Sequence, residues 1–345
     1  MRFFILVWVF LPTMVLAELV SKPTLPTIMG SLTKASICVF DPLGANGSLF
    51  NTIKDYRNLA FEWGVDIEPR AYTDEKIAVD DFKAGQCDAV LVTGSRARPF
   101  NKFSASMEAV GAIGSKQMLR TLLATISTPK AAKYMNEGAY EVAGIMPAGP
   151  VYLFTRDRTI DTFEEFSGKR IATIEYDEPS IFLVNYVGAS MVPSNSTNFS
   201  GKFNNGSVDV AYAPAVAYKP FELYKGLQNN GGIIRFPLAY LNLQVIIRKD
   251  KFPEGFAQKS RAAVVTYFDR VDEFIQQETK SIDEKYWVEL SEEDSTTYLG
   301  MLREVRIKLR DKRDYDANML KLMRKLRCRE NPTAAECAAK LESFL

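Results

Sequence analysis

Residues 82–92 read FKAGQCDAVLV, and residues 203–213 read FNNGSVDVAYA. Both fit Phe-x-x-Gly-x-x-Asp followed by small and apolar residues: Phe82, Gly85 and Asp88 in the first, Phe203, Gly206 and Asp209 in the second. The match continues downstream, because Pro99-Phe100 and Pro220-Phe221 stand at the same offset from their aspartates. In each cassette an amphipathic helix ends at the glycine, which suits the left-handed C-cap conformation. The aspartate then leads into a short apolar run, Ala89–Val92 or Val210–Ala213. Such a run beside helical pattern reads as a buried strand of a parallel sheet covered by helices. The pattern is also ordinary helix-to-strand punctuation; the shared Pro-Phe is what marks it as a repeat. Two cassettes imply two similar lobes, and a cleft between lobes is a usual seat for a small ligand. In open α/β sheets ligands sit beyond the carboxyl ends of the strands. That places Thr93-Gly94-Ser95 and Tyr212-Ala213-Pro214 at the mouth of the cleft.

Outward from the cassettes, the first lobe reads as strand Ser36–Phe40, helix Ser48–Trp63, strand Val65–Tyr72 and helix Asp74–Ala84. Helices are expected across Ser115–Ile126 and Pro129–Glu137. Glu141–Thr155 is apolar but broken by Pro147, Gly149 and Pro150, and suits a strand crossing between lobes. The second lobe follows with a short helix Thr162–Phe166, strand Lys169–Glu175 and a helix from Pro179 to Gly188, where proline occupies the first turn at no hydrogen-bonding cost. A short strand at Met191–Val192 and helix Asn198–Asn204 lead into the second cassette. Arg235–Lys249 is β-rich and can return the chain to the first lobe. From residue 255 the pattern is helical: Val264, Phe268, Val271 and Ile275 share one face, and Ser291 with Asp294 caps a long charged segment reaching Cys328. The expected organisation is residues 1–17 as a leader, 18–150 plus 235–255 as lobe I, 151–234 as lobe II, and 256–345 as helices packing across both.

The chain has 345 residues, a formal charge of +1 and no histidine. Arg2, the apolar run Phe3–Leu11 and Val15-Leu16-Ala17 fit a signal peptide cleaved after Ala17. Loss of Arg2 takes the formal charge from +1 to 0, so no global field recruits nucleic acid. Without histidine, Ser-His-Asp, Cys-His and His-ligated zinc chemistries are excluded. Neither glycine-rich phosphate-loop signature is present. Four cysteines suit an oxidising compartment. Cys38 and Cys87 fall on strands that can be neighbours; Cys328 and Cys337 flank a turn at Asn331-Pro332; three pairings are possible on paper. No C-x-x-C spacing occurs, and neither metal nor cofactor is expected. Four N-x-S/T sequons, at Asn46, Asn195, Asn198 and Asn205, are glycan sites in a eukaryotic secreted chain and polar turns in a bacterial one.

The run Phe166–Pro214 resembles the second-lobe segment of the periplasmic solute-binding proteins of TRAP-type transporters. A Gly-Lys strand, a helix, Gly-Ala, Pro and the Gly-x-x-Asp cassette occur there in order. Here Gly168, Gly188-Ala189, Pro193, Gly206, Asp209 and Pro214 hold those places. More loosely the resemblance spans residues 35–300. It is nearest to a divergent branch labelled efflux-associated or aminoglycoside-resistance proteins. It implies an α/β, two-lobe, type II-like periplasmic-binding fold with crossing hinge strands and long C-terminal helices. It also implies a monomer that takes a small molecule, of a class the sequence does not name, and hands it to a membrane permease. The family's usual ligand-clamping arginine falls here on Ala172, with Arg170 offset by two.

Candidate ligand residues follow from strand ends. Glu175, Tyr176 and Asp177 follow the second-lobe strand, and with Asp41 across the cleft they form a partly acidic wall suited to an amine. The same acidic residues also suit the helix N-terminus they precede, and Asp41 before Pro42 also fits a plain turn. Ser95 and Arg98 follow the first cassette strand. Tyr212 ends the second, where its ring can stack and its hydroxyl can bond. Asn242 lies on the returning strand. Two rival readings remain at this stage: an exported enzyme using Asp41 with Glu175 or Asp177, and an envelope accessory protein acting through its C-terminal helices.

Overall fold

The two cassettes fold alike in the computed structural model, which describes residues 32–228 and 230–339. Phe82 and Phe203 are fully buried. Gly85 and Gly206 take φ of 78° and 82°, the left-handed region that a side chain resists. Each aspartate reaches sideways to the adjacent strand: Asp88 Oδ2 accepts the Ser36 N–H at 2.8 Å, and Asp209 Oδ2 accepts the Arg170 N–H at 2.9 Å. An arginine from a crossing strand closes each helix end. Arg248 Nη2 donates to the Phe82 carbonyl at 2.6 Å, and Arg156 Nη1 to that of Phe203 at 2.8 Å. The repeated residues are thus repeated jobs: turn, strand registration and helix termination.

The strands are β1 (Thr33–Phe40), β2 (Val65–Tyr72), β3 (Ala89–Thr93), β4 (Asn136–Glu137), β5 (Tyr140–Thr155), β6 (Arg170–Ile174), β7 (Ser190–Ser194), β8 (Val210–Pro214), β9 (Gly232–Arg248) and β10 (Trp287–Val288). They form one sheet in the order β2-β1-β3-β9-β5-β8-β6-β7, with β10 on β9 and β4 on β5. The order is symmetric about its middle. β2-β1-β3 is parallel and meets β9 antiparallel; β7-β6-β8 is parallel and meets β5 antiparallel. β5 and β9 pair antiparallel from Tyr140↔Arg248 to Thr155↔Gly232, with register shifts at Val142/Gly144, Pro147/Gly149 and Val151/Leu153. This is the two-lobe α/β fold with crossing strands, and three buried clusters fill the spaces between sheet and helices.

The C-terminal helices touch both halves. Helix Glu292–Asp311 packs on helix Glu178–Tyr186 of the second half, and helix Ala317–Glu330 packs on helix Lys116–Ile126 of the first. Met319, Leu320 and Met323 are fully buried there. The long charged segment is not one helix. It breaks where Arg313 adopts φ 67° and Asp316 caps the next helix through the N–H groups of Asn318 and Met319. Pro129–Glu137 also differs from expectation. It is a 3-10 turn, Pro129–Tyr134, followed by β4, because Asn136 and Glu137 pair back onto Tyr140 and Glu141. Asn195 and Asn205, two of the sequon asparagines, accept hydrogen bonds inside their own turns. The leader expected at residues 1–17, and the segment up to residue 31, lie outside the described residues.

The cysteines pair as Cys38–Cys87, joining β1 to the start of β3, and as Cys328–Cys337. Loop-closure entropy assigns about 4 kcal/mol to the first and about 3 kcal/mol to the second, in line with sequence separations of 49 and 9 residues. Replacing Cys38 and Cys87 by alanine is expected to lower unfolding free energy in urea more than replacing Cys328 and Cys337. The reverse order would place the C-terminal bridge, rather than the sheet bridge, at the centre of stability.

Candidate ligand cavity

Where β5 and β9 cross, the carboxyl ends of the strands from both halves face a common cavity of about 880 Å³. Its walls come from helices and strands of both halves. Leu49 and Ile53 belong to helix Ser48–Glu62, Met146 and Leu153 to β5, Leu241 to β9, and Leu183 to helix Glu178–Tyr186. On β9 the lining residues Ala239, Leu241, Leu243 and Val245 alternate with residues that face away, the two-residue period of a strand. The loops after β2, β3 and β6 meet at the edge of the cavity and bring charged groups of both halves together there.

Two residues after β6, Tyr176 and Asp177, make contact with the opposite half. The Tyr176 hydroxyl donates to Glu75 Oε2 at 2.8 Å. The Arg96 guanidinium lies over its ring, 3.1 Å from the centroid. Burial and the Glu75 carboxylate both push the Tyr176 hydroxyl far above the ordinary phenol range, so it stays a donor. Glu75 is itself buried, and its other oxygen accepts the Thr93 N–H at 2.6 Å. Beside this contact Arg98 Nη2 approaches Asp177 Oδ1 at 3.4 Å, and Arg98 Nη1 donates to the Asp314 carbonyl at 3.0 Å. Both side chains are about 15% exposed, 15% and 13%. Arg98 Nε is buried and has no partner. Asp177 also accepts from the Ser180 hydroxyl. The result is a clasp across the cleft, built from charges that answer one another.

Of the residues singled out in the sequence, Asp41, Ser95, Arg98, Tyr176, Asp177 and Tyr212 line the cavity. Ser95 Oγ lies 3.2 Å from Thr93 Oγ1. The Tyr212 hydroxyl accepts the Ile174 N–H at 2.9 Å, so it is held by the end of β6. Asp41 is 2% exposed and accepts the N–H groups of Leu43 and Phe50. Phe50 stands in the first turn of helix Ser48–Glu62, so the carboxylate stabilises a helix N-terminus. Two residues fall elsewhere. Glu175 is exposed and outside the lining, because Ile174 and Tyr176 on either side take the cavity face. Asn242 is buried on the far face of β9, where its Oδ1 accepts from Gln244 Nε2. The acidic wall is therefore not assembled: Glu175 points away, Asp177 is paired and Asp41 caps a helix. No arginine reaches the cavity from β6 either. Ala172 is buried inside the strand, and Arg170, at the strand's start, pairs with Asp209 at 2.7 Å.

Glu108 is the residue that sequence reading missed. It sits in the cavity wall, and its Oε1 accepts two backbone N–H groups, from Gly94 at 3.1 Å and Asn242 at 3.0 Å. Only glycine allows that approach, since a Cβ at position 94 would lie 2.5 Å from the same oxygen. Desolvation raises the Glu108 carboxyl to about 8, against the lowering effect of the Asn242 N–H. Glu108 ends a 3-10 turn, Ser106–Glu108, in a stretch with no strand end or motif to mark it.

The fold is the one seen in TRAP periplasmic solute-binding proteins. The solute-binding protein of Desulfovibrio salexigens with bound orotic acid superposes with a TM-score of 0.69 at 12% identity, over 90% of this chain and 99% of that one. The Shewanella oneidensis protein with bound succinate gives a TM-score of 0.69 at 10% identity, over 86% of this chain and 99% of that one. The chain belongs to the solute-binding protein AdeT 1/2 family, whose model matches residues 60–342 and so includes the C-terminal helices. It is 43% identical over 300 residues, 87% of this chain and 99% of the relative, to "Probable solute-binding protein AdeT1" of Acinetobacter baumannii.

A carboxyl whose pKa rises on folding keeps its proton in the folded chain after the unfolded chain has lost it. Between the ordinary value of 4.5 and about 8 the folded state therefore holds more protons, and stability falls as pH rises. Glu108→Gln keeps an oxygen for both N–H groups and cannot ionise. Its unfolding temperature is expected to decline less than that of the parent between pH about 5 and about 9. Parallel curves for the two proteins would show that Glu108 is ionised throughout.

Proposed function

We propose that this chain is an extracytoplasmic solute-binding protein that encloses a small molecule between its two lobes and delivers it to a membrane permease. Lobe I comprises residues 18–150 with 235–255, lobe II residues 151–234, and the helices of 256–345 tie the lobes together. Residues 1–17 serve as the signal peptide that sends it to the periplasm. Asp41, Ser95, Arg98, Tyr176, Asp177 and Tyr212 form the binding surface, with Glu108 added to them. One observation carries this reading: a cavity of about 880 Å³ lined from both lobes, with Tyr176–Glu75 and Arg98–Asp177 contacts that run from one lobe to the other. A ligand touching both lobes favours the approached state by its differential affinity. Family membership and the ligand-holding structural neighbours support the same reading. The link between the two long C-terminal helices supports it too, because Tyr315 lines the cavity and the Asp314 carbonyl holds Arg98.

Native mass spectrometry of protein purified from its own host is expected to show an additional mass that leaves on unfolding. Readdition of that molecule at a hundred times its Kd should stabilise the fold by about 2.7 kcal/mol. Absence of any bound mass, with no thermal shift by any host extract fraction, would contradict the proposal. Tyr176→Phe deletes the hydrogen bond to Glu75, worth about 1.5 kcal/mol or more. It is expected to enlarge the radius of gyration in solution scattering and to weaken ligand binding about tenfold. An unchanged radius and affinity would remove the clasp from the mechanism.

A further inference from the structure

The charged groups around the cavity are answered inside the protein. Arg98 faces Asp177, Arg270 faces Asp55 at 3.8 Å and Lys219 faces Glu278 at 3.3 Å. Three acids remain without a basic partner in the lining: Asp41, Glu75 and Glu108. Each is held by donors instead. Asp41 takes two backbone N–H groups, Glu75 takes an N–H and the Tyr176 hydroxyl, and Glu108 takes two N–H groups. Between these groups the walls are hydrocarbon, from Leu49, Met146, Leu153, Leu183, Val187 and Leu241. An anion entering here would give up water and find no unpaired cation, and a cation would meet only acids already held by two donors each; either would otherwise have to break a pair and strand its other member. An apolar molecule gains in proportion to the surface it removes from water.

Resting on the solute-binding reading above, we infer that the cavity takes a bulky, uncharged and predominantly apolar molecule. The volume, about 880 Å³, fits a ligand of drug size or an alkyl chain of comparable bulk, well beyond a two- to four-carbon acid. The position that would bring a carboxylate clamp from the second lobe is filled by Ala172, and Arg170 is engaged by Asp209 outside the cavity. The charged rim then acts as a latch that closes over the guest without contributing a net charge to select it.

Fluorescence titration of the full mature chain, stripped of endogenous ligand by unfolding and refolding, tests this with N-phenyl-1-naphthylamine as the probe. The inference expects saturable binding of one probe per chain, displaced by 1-dodecanol and not by a large excess of succinate or spermidine. Met146→Glu places a charge in the apolar wall, and Ala148→Trp fills part of the space with no charge. Each should weaken probe binding roughly tenfold or more. Circular dichroism of each variant confirms its fold, and the two are chemically independent. No saturable probe binding, or displacement of bound probe by succinate or spermidine, would overturn the apolar inference while leaving solute capture standing. Probe binding that both folded variants leave unchanged would also overturn it, by placing the probe elsewhere. The native mass measurement judges solute capture separately.

Discussion

One antiparallel ladder, between Tyr140–Thr155 and Gly232–Arg248, holds the two halves of the molecule in one sheet. Each strand of the ladder carries its own half: β9 pairs with β3, and β5 pairs with β8. Near its middle, Pro147 and Pro150 lack an N–H, and the register slips at Pro147/Gly149 and Val151/Leu153. The ladder is therefore interrupted near its middle, while Arg248 and Arg156 anchor its ends to the two cassettes. A sheet that stays continuous yet is loosened around Pro147 and Pro150 can bend there. The cavity opens at that level.

The polar chemistry of the cleft serves closure more than recognition. Tyr176 and Asp177 reach across to Glu75, Arg96 and Arg98, and the contact satisfies nearly every group involved. Half-buried charges without partners would hold the lobes apart, because each would need water. Paired across the gap, they cost less to bury than either would alone, and they fix the approach geometry. Selection of the guest then falls to shape and hydrocarbon surface.

The repeat in the sequence foretold the symmetry of the sheet because each repeated residue does a local job: glycine for a positive φ, aspartate for the neighbouring strand's N–H, phenylalanine for the core. Strand ends were readable for the same reason, and Ser95, Arg98, Tyr176, Asp177 and Tyr212 all reached the cavity wall. Side-chain direction was not readable one residue beyond a strand, so Glu175 was placed on the wrong face. Nor was pairing. The sequence displays Asp41 and Asp177 as acids, and only the fold reveals the helix N-terminus and the arginine that occupy them. Glu108 left no mark at all, since its importance comes from Gly94 and Asn242, residues distant in the chain that the sheet brings to its carboxylate.

The central claim is that the halves close on a guest by bending at the middle of the ladder. The most direct measurement is the distance between spin labels on the exposed positions 76 and 185, one on each half, attached through unnatural amino acids because all four cysteines are in disulfides. The account requires two distance populations in the stripped protein and a shift toward the shorter one when the native ligand is restored. A single distance that is the same with and without ligand would contradict it.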